Sequence, residues 1–202
     1  MKRILLLVNV LCFTVLFSSA QVNLTQIGKL SYNQNLSDVW GYATGANEYA
    51  LVGANAKFSI VDITNPGTPV EIFSEPGPPS TWRDIKVWND HAYVIHDSPS
   101  GGASGVGLLI VDLSPLPQST TLTTTYYTGT TYPFSQCHNI FIDENGILYL
   151  FGADNGVGGC IMYDLTNPTA PVELGQWDEY YVHDGMVRGD TLWASCISNG
   201  FQ

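Results

Sequence analysis

The sequence writes one fourteen-residue phrase twice, SIVDITNPGTPVEI at 59–72 and IMYDLTNPTAPVEL at 161–174. A shorter copy, LLIVDLSPLP, lies between them at 108–117. The aspartates Asp62, Asp112 and Asp164 form a column at intervals of 50 and 52 residues. A second column runs upstream: Ser37-Asp38, Arg83-Asp84, His138-Asn139 and His183-Asp184, its acid or amide recurring after 46, 55 and 45 residues. Nine to eleven residues beyond each of these comes an aromatic side chain, Tyr49, Tyr93, Tyr149 or Trp193. One supersecondary unit repeated in this way cannot bury its faces alone, so the copies must stack on one another.

Each unit reads as four short strands. In DIKVW (84–88), Ile85 and Val87 alternate with Asp84, Lys86 and Trp88, the period-two pattern of a strand. Turn residues follow: Asn89-Asp90 here, Glu144-Asn145-Gly146 and Arg188-Gly189-Asp190 elsewhere. A second strand (AYVIH, LYLFG), a variable loop and a third strand (LLIVDL, CIMYDL) come next. The TNP segment breaks the ladder, because proline lacks the N–H a ladder needs. A fourth strand, PVEIF or PVELGQW, completes the unit. No helical period lasts ten residues outside the N-terminal leader. The pattern predicts an all-β chain, a partial β-propeller of four-stranded blades. Its units cover about 37–82, 83–137, 138–182 and, in part, 183–202. A β-sandwich with a duplicated hairpin is the rival architecture, and it gives no reason for three landmarks to recur in register.

The segments FSIVDITNPGTPVEI, GLLIVDLSPLP and CIMYDLTNPTAPVEL resemble the LVIVD-type propeller repeat. The set TWRDIKVW, CHNIFID and YVHDGMV is similar to the choice-of-anchor B family of bacterial surface propellers. The resemblance covers residues 24–202 and implies export and surface attachment through differing C-terminal anchors; it implies no particular activity. Gly200-Phe201-Gln202 resembles the openings of the third strands, Gly107-Leu108 and Gly159-Cys160. We therefore expect a truncated propeller of three full units and part of a fourth. LTQIGKLS (24–31) resembles a fourth strand without its first three. It is expected to be an unpaired edge that would pair with the last blade of a closed ring, leaving this chain poorly stable.

Composition bears on location and partners. Met1-Lys2-Arg3, an apolar run from Ile4 to Phe17 and Ser18-Ser19-Ala20 describe a signal peptide over 1–20, ahead of a mature domain at 21–202. No later segment is apolar for long enough to cross a bilayer. The chain is therefore expected to be secreted or held at the cell surface. Past the leader, five basic residues face eighteen acidic ones, a net of −13. Such a surface repels nucleic acid and anionic membranes. Cys137, Cys160 and Cys196 lack zinc-site spacing, and either one disulfide with a free thiol or three reduced thiols fits them.

If the first strand of each unit is innermost, its leading residues ring one mouth of the channel. The loops between second and third strands open there too. That gathers Arg83, Asp84, His96, Asp97, His138, Asn139, His183 and Asp184 as a ligand-binding face, with Asp154 in a further loop. His138 and His183 as nitrogen ligands, with Asp84 and Asp184 supplying oxygen, suit a divalent metal of the zinc or calcium kind. A polar organic ligand is the second expectation. The third is purely structural: a repeated acid or amide can accept backbone hydrogen bonds from a neighbouring blade. Tyr49, Tyr93, Tyr149 and Trp193 read as blade core, while Trp82, Tyr132 and Tyr181 either stack on a sugar or peptide or fill the seams between blades. Asp154-Asn155-Gly156 resembles a calcium loop without its further acids and reads as a turn. Gly102-Ala103-Ser104-Gly105-Val106 misses a nucleophile elbow. These features favour a binding module for an extracellular protein, peptide or carbohydrate. A metal-assisted hydrolase or lyase at the same mouth is the alternative, and a passive spacer the third.

Overall fold

The computed structural model describes residues 24–99 and 107–202. The leader at 1–20 and the Gly102–Val106 stretch lie outside the described residues. Among the described residues, fourteen strands form three four-stranded antiparallel sheets and one two-stranded sheet. The first sheet runs β1 (Leu36–Thr44), β2 (Asn47–Ala54), β3 (Lys57–Asp62) and β4 (Val70–Pro76) in chain order. The second holds β5 (Ile85–Trp88), β6 (His91–Val94), β7 (Leu108–Asp112) and β8 (Thr124–Tyr127). The third holds β9 (Asn139–Ile142), β10 (Ile147–Phe151), β11 (Cys160–Asp164) and β12 (Val172–Trp177). The last pairs β13 (Asp184–Arg188) with β14 (Thr191–Ser195). A single 3₁₀ turn, Ile197–Asn199, follows β14, and the isolated bridge Ser195–Phe201 starts a third row beside it.

Turn chemistry explains the hairpins. β5 and β6 are joined by Asn89 and Asp90 alone, both at positive φ (45° and 55°), the twist that suits a two-residue hairpin. Gly45, Gly146 and Gly189 supply positive φ at the equivalent turns of the other sheets. The recurrent aspartate after each third strand does backbone work. Asp62, Asp112 and Asp164 accept the N–H groups of Thr64, Ser114 and Thr166 at 2.9, 2.9 and 2.6 Å. Each bond closes a tight turn where the chain leaves the ladder ahead of the fourth strand.

The sheets stack in sequence order, not as two layers. β1 lies beside β5, β5 beside β9 and β9 beside β13, so the first strand of every unit is innermost. Three apolar seams hold the stack. The first joins Tyr49, Leu51, Phe58 and Ile60 to Ile85, Ala92, Val94 and Val111. The second joins Tyr93, Ile95, Leu108 and Ile110 to Ile140, Leu148, Leu150 and Tyr163. The third joins Tyr149, Phe151 and Cys160 to Val187 and Ala194. β6 shows the logic in four residues: Ala92 and Val94 face the first seam, and Tyr93 faces the second. Interior sheets are thus apolar on both faces. The four sheets do not close into a ring.

Residues 24–31 depart from expectation, for they carry no strand. The segment lies against the face of the first sheet, forming a cleft of about 470 Å³ between Ile27, Leu30 and the strand residues Ala50, Val52 and Val61. Gly28 is so close to the Pro66 carbonyl that a methyl group there would come within 2.0 Å of the oxygen. The Tyr32 hydroxyl meets the Ser59 hydroxyl at 2.8 Å. With no neighbouring ladder to bond to, the segment is held by these side contacts.

Candidate functional site

Backbone bonds extend each inner hairpin towards the mouth and so fix the residues there. Asp97 N–H donates to the Trp82 carbonyl (3.2 Å), His138 N–H to Phe151 (3.0 Å) and His183 N–H to Ser195 (2.9 Å). Loop residues of one sheet are thereby brought against leading residues of the next. Asp97 Oδ2 lies 2.7 Å from His138 Nδ1, across the second and third sheets. His138 Nε2 lies 2.9 Å from His183 Nε2, across the third and fourth. The two rings are tilted by 54°, with centroids 4.2 Å apart, so their nitrogen-bearing edges converge. Trp82, 51% exposed, places its indole 5.4 Å from the His138 ring. His138 is 7% exposed, whereas His183 and Asp184 stand in solvent.

The glycine at 152 makes room for this group. It holds φ 64°, and a methyl group there would lie 2.8 Å from both His138 Cβ and the Tyr181 hydroxyl. Tyr181 also packs on Gly158. Burial, with the nearby Asp97 carboxylate and Cys137, pushes its phenol up. Neither glycine was singled out in the sequence, where nothing distinguishes them from ordinary turn residues.

Asp84 is half-buried at the start of β5. Burial, reinforced by the charges of Asp38 and Asp184, pushes its carboxyl up to about 6; Lys86 and His138 oppose the shift. Asp38 accepts Ile85 N–H across the seam at 2.9 Å. Asp38, Asn139 and Asp184 each also accept the N–H of the residue that follows them. The column therefore has a backbone role at three of its four positions. His96 is buried at the end of the second unit's inner hairpin, and its carbonyl accepts Cys137 N–H at 2.9 Å. Asp154 accepts Ser135 and Gln136 N–H groups and the Ser135 hydroxyl, and so pins its loop to the segment that leads into the third blade.

Arg83 must be moved from the recognition face. It is 3% exposed, and its guanidinium donates to the carbonyls of Ala54 (2.9 Å), Asn55 (3.3 Å) and Pro78 (2.5 Å). Five donors in a rigid fork suit several carbonyls at once, so the side chain turns inward as a strap between the first two sheets. Desolvation lowers its pKa to about 10. Cys137, Cys160 and Cys196 are buried free thiols.

Among the described residues, no three His, Cys, Asp or Glu side chains form a group able to hold a metal ion. His138 and His183 meet as a pair, and Asp84 and Asp184 do not join them in such a group. Of the aromatic residues ahead of the leading positions, Trp82 faces the mouth, Tyr132 packs into the second seam and Tyr181 lies on the glycines.

The order of strands, the innermost position of each first strand and the seams between successive sheets all describe propeller blades.

An LVIVD repeat spans residues 46–75.

It covers β2 to β4 of the first blade, and this repeat type builds β-propellers. The mouth therefore belongs to an open array of propeller blades, the first of which carries the LVIVD repeat. No curated protein matches the chain.

Proposed function

We propose that this chain is an exported propeller of the choice-of-anchor B type whose channel mouth recognises a polar extracellular ligand, a protein, peptide or carbohydrate. One observation carries the reading. Trp82 of the link between the first two blades, Asp97 of the second, His138 of the third and His183 of the fourth meet at one mouth. An indole half in solvent beside imidazoles and a carboxylate offers both a stacking face and hydrogen-bonding groups, the combination polar ligands need. The repeat is a scaffold, and recognition sits where the repeat is broken: the leading histidines replace Ser37 and Arg83 of earlier units. Export is supported by the apolar run from Ile4 to Phe17 and the small residues before Gln21.

A glycan and peptide array probed with the purified chain tests the recognition role. Trp82→Ala is expected to weaken capture roughly 10-fold, about 1.4 kcal/mol of lost ring contact. Capture by wild type and variant at equal strength, or none by either, would remove the mouth from the account. Terminal sequencing of the secreted product checks export, with Gln21 expected as the first residue.

A further inference from the structure

We infer that the array carries a second binding site at the end opposite the mouth, a cleft between the second and third blades that takes a neutral carbohydrate. It is built from other residues than the mouth and is independent of the recognition reading above.

The repeat shows what this place holds when it is closed. Tyr42 and Trp88 are equivalent residues, each four positions beyond the leading acid of its unit, Asp38 or Asp84. Asp90 and Asn145 are equivalent too, each six positions beyond Asp84 or Asn139. In the first seam the pair bridges the gap between blades: the Tyr42 hydroxyl donates to Asp90 Oδ1 at 2.9 Å. In the second seam the pair is Trp88 and Asn145, and no such bridge forms between them. A cleft of about 440 Å³ lies there instead, lined by Trp88, Asn89, Asn145, Leu165 and Thr166. That volume falls in the range of small-molecule sites.

The lining decides the class of ligand. Among the described residues, the side-chain amides of Asn89 and Asn145 and the indole N–H of Trp88 have no hydrogen-bond partner. Each carboxamide offers donors and an acceptor together. Their backbones are nonetheless fixed: Asn89 by the two-residue turn at positive φ, Asn145 by its N–H bond to Asp143 at 2.9 Å. Trp88 lies so close against Gly146 that a methyl group there would come within 2.6 Å of the ring. None of the five lining side chains is charged. The acids of the adjoining turns are occupied, Asp90 by Tyr42, Asp143 by Asn145 and Ile147, Glu144 by Gly189 and Asp164 by Thr166. An ionic ligand would lose its hydration here without gaining a counter-charge. Sugar hydroxyls, which both donate and accept, match the carboxamides, and the apolar face of a sugar ring suits an indole.

Titration of the full chain with cellobiose, maltose and methyl mannoside, followed by nitrogen–proton NMR, tests this directly. The Trp88 indole and the Asn89 and Asn145 side-chain amide signals are expected to shift with at least one sugar, at millimolar affinity, and to do so equally in Trp82→Ala. Asn89→Gly and Asn145→Ala, both at exposed turn positions, should each weaken that binding roughly 10-fold. No shift at Trp88 with any of the three sugars overturns the inference, as does unchanged affinity in both asparagine variants. A stronger response to N-acetylglycinamide, a neutral peptide-like probe, also overturns it. Shifts confined to Trp82 overturn it while leaving the recognition reading of the mouth standing. Shifts at Trp88 that persist in Trp82→Ala and weaken in the asparagine variants uphold it whatever the mouth binds.

Discussion

Glu173 accepts the N–H groups of Thr130, Thr131 and Tyr132 from the segment leading out of the second blade, and the Thr130 hydroxyl as well. Glu71 holds the corresponding place in the first blade. It takes Lys57 at 2.7 Å and Ser59 at 2.6 Å, and Ser59 in turn holds Tyr32. Both glutamates sit in the repeated PVE phrase, so the sequence carried a signal for this latch between units. Burial alone would raise the Glu173 carboxyl, but the Thr130, Thr131 and Tyr132 donors outweigh it and hold the carboxyl at about 2. A depressed carboxylate stabilises the fold above its unfolded pKa and loses that contribution as pH falls towards the folded value. Glu173→Gln should therefore cost about 1 kcal/mol at neutral pH. In urea titrations, its midpoint should converge on wild type between roughly pH 4.5 and pH 2. A gap unchanged at low pH would show that charge is not what matters. Arg83 makes a larger claim on stability. Arg83→Met strands three carbonyls in a buried place and should cost on the order of 3 kcal/mol, measured by chemical denaturation. Arg83→Lys should recover little of it, since an ammonium lacks the fork.

At the scale of the element, hairpin turns and sheet faces obey different constraints. The turn at Asn89-Asp90 needs left-handed backbone at both residues, which glycine or asparagine tolerates and a β-branched residue does not. Asn89→Gly is expected to be nearly neutral, while Asn89→Val should lose about 1–2 kcal/mol, read as a shift in the thermal midpoint. The alternation within each strand was legible because period two survives whatever the neighbours are. The identity of the neighbours was not. Tyr93 reads from sequence as blade core, and it is fully buried; its hydroxyl nonetheless reaches across the second seam to the Pro168 carbonyl at 3.1 Å. One landmark of the fourth unit differs for the same reason. Trp193 is only half-buried and lines an open cleft with Met186 and Phe201, because among the described residues no further sheet lies on that face.

At the scale of the whole molecule, an array of blades is stabilised by each blade and by its contacts with neighbours. The second and third blades are covered on both faces, and the two-stranded fourth sheet on one. Local opening should therefore begin there. Hydrogen exchange followed by mass spectrometry should show amides of 184–202 exchanging well before those of β6, β7, β10 and β11. Gly185→Val sharpens the test, since a methyl group at 185 already meets the Phe151 ring at 2.8 Å. The variant should expose the fourth sheet while protection in the second blade stays unchanged; uniform loss of protection would mean that the array opens as one unit.

Repetition and alternation in the sequence determined the four-strand unit, its breaks and the stacking of units, because these follow from local period and turn chemistry. They also brought Asp97, His138 and His183 to one end of the array, since equivalent positions of stacked units share a face. Tertiary structure decided the rest. Whether Arg83 points into the channel or back onto backbone carbonyls depends on two groups nearly thirty residues away, those of Ala54 and Asn55. That Asp97 serves His138 rather than the ligand, and that the two imidazole edges meet at 2.9 Å, depends on how adjacent blades are set against each other. Spacing along a chain specifies which side chains share a mouth; only the packing between blades fixes their direction and separation, and chemistry depends on those.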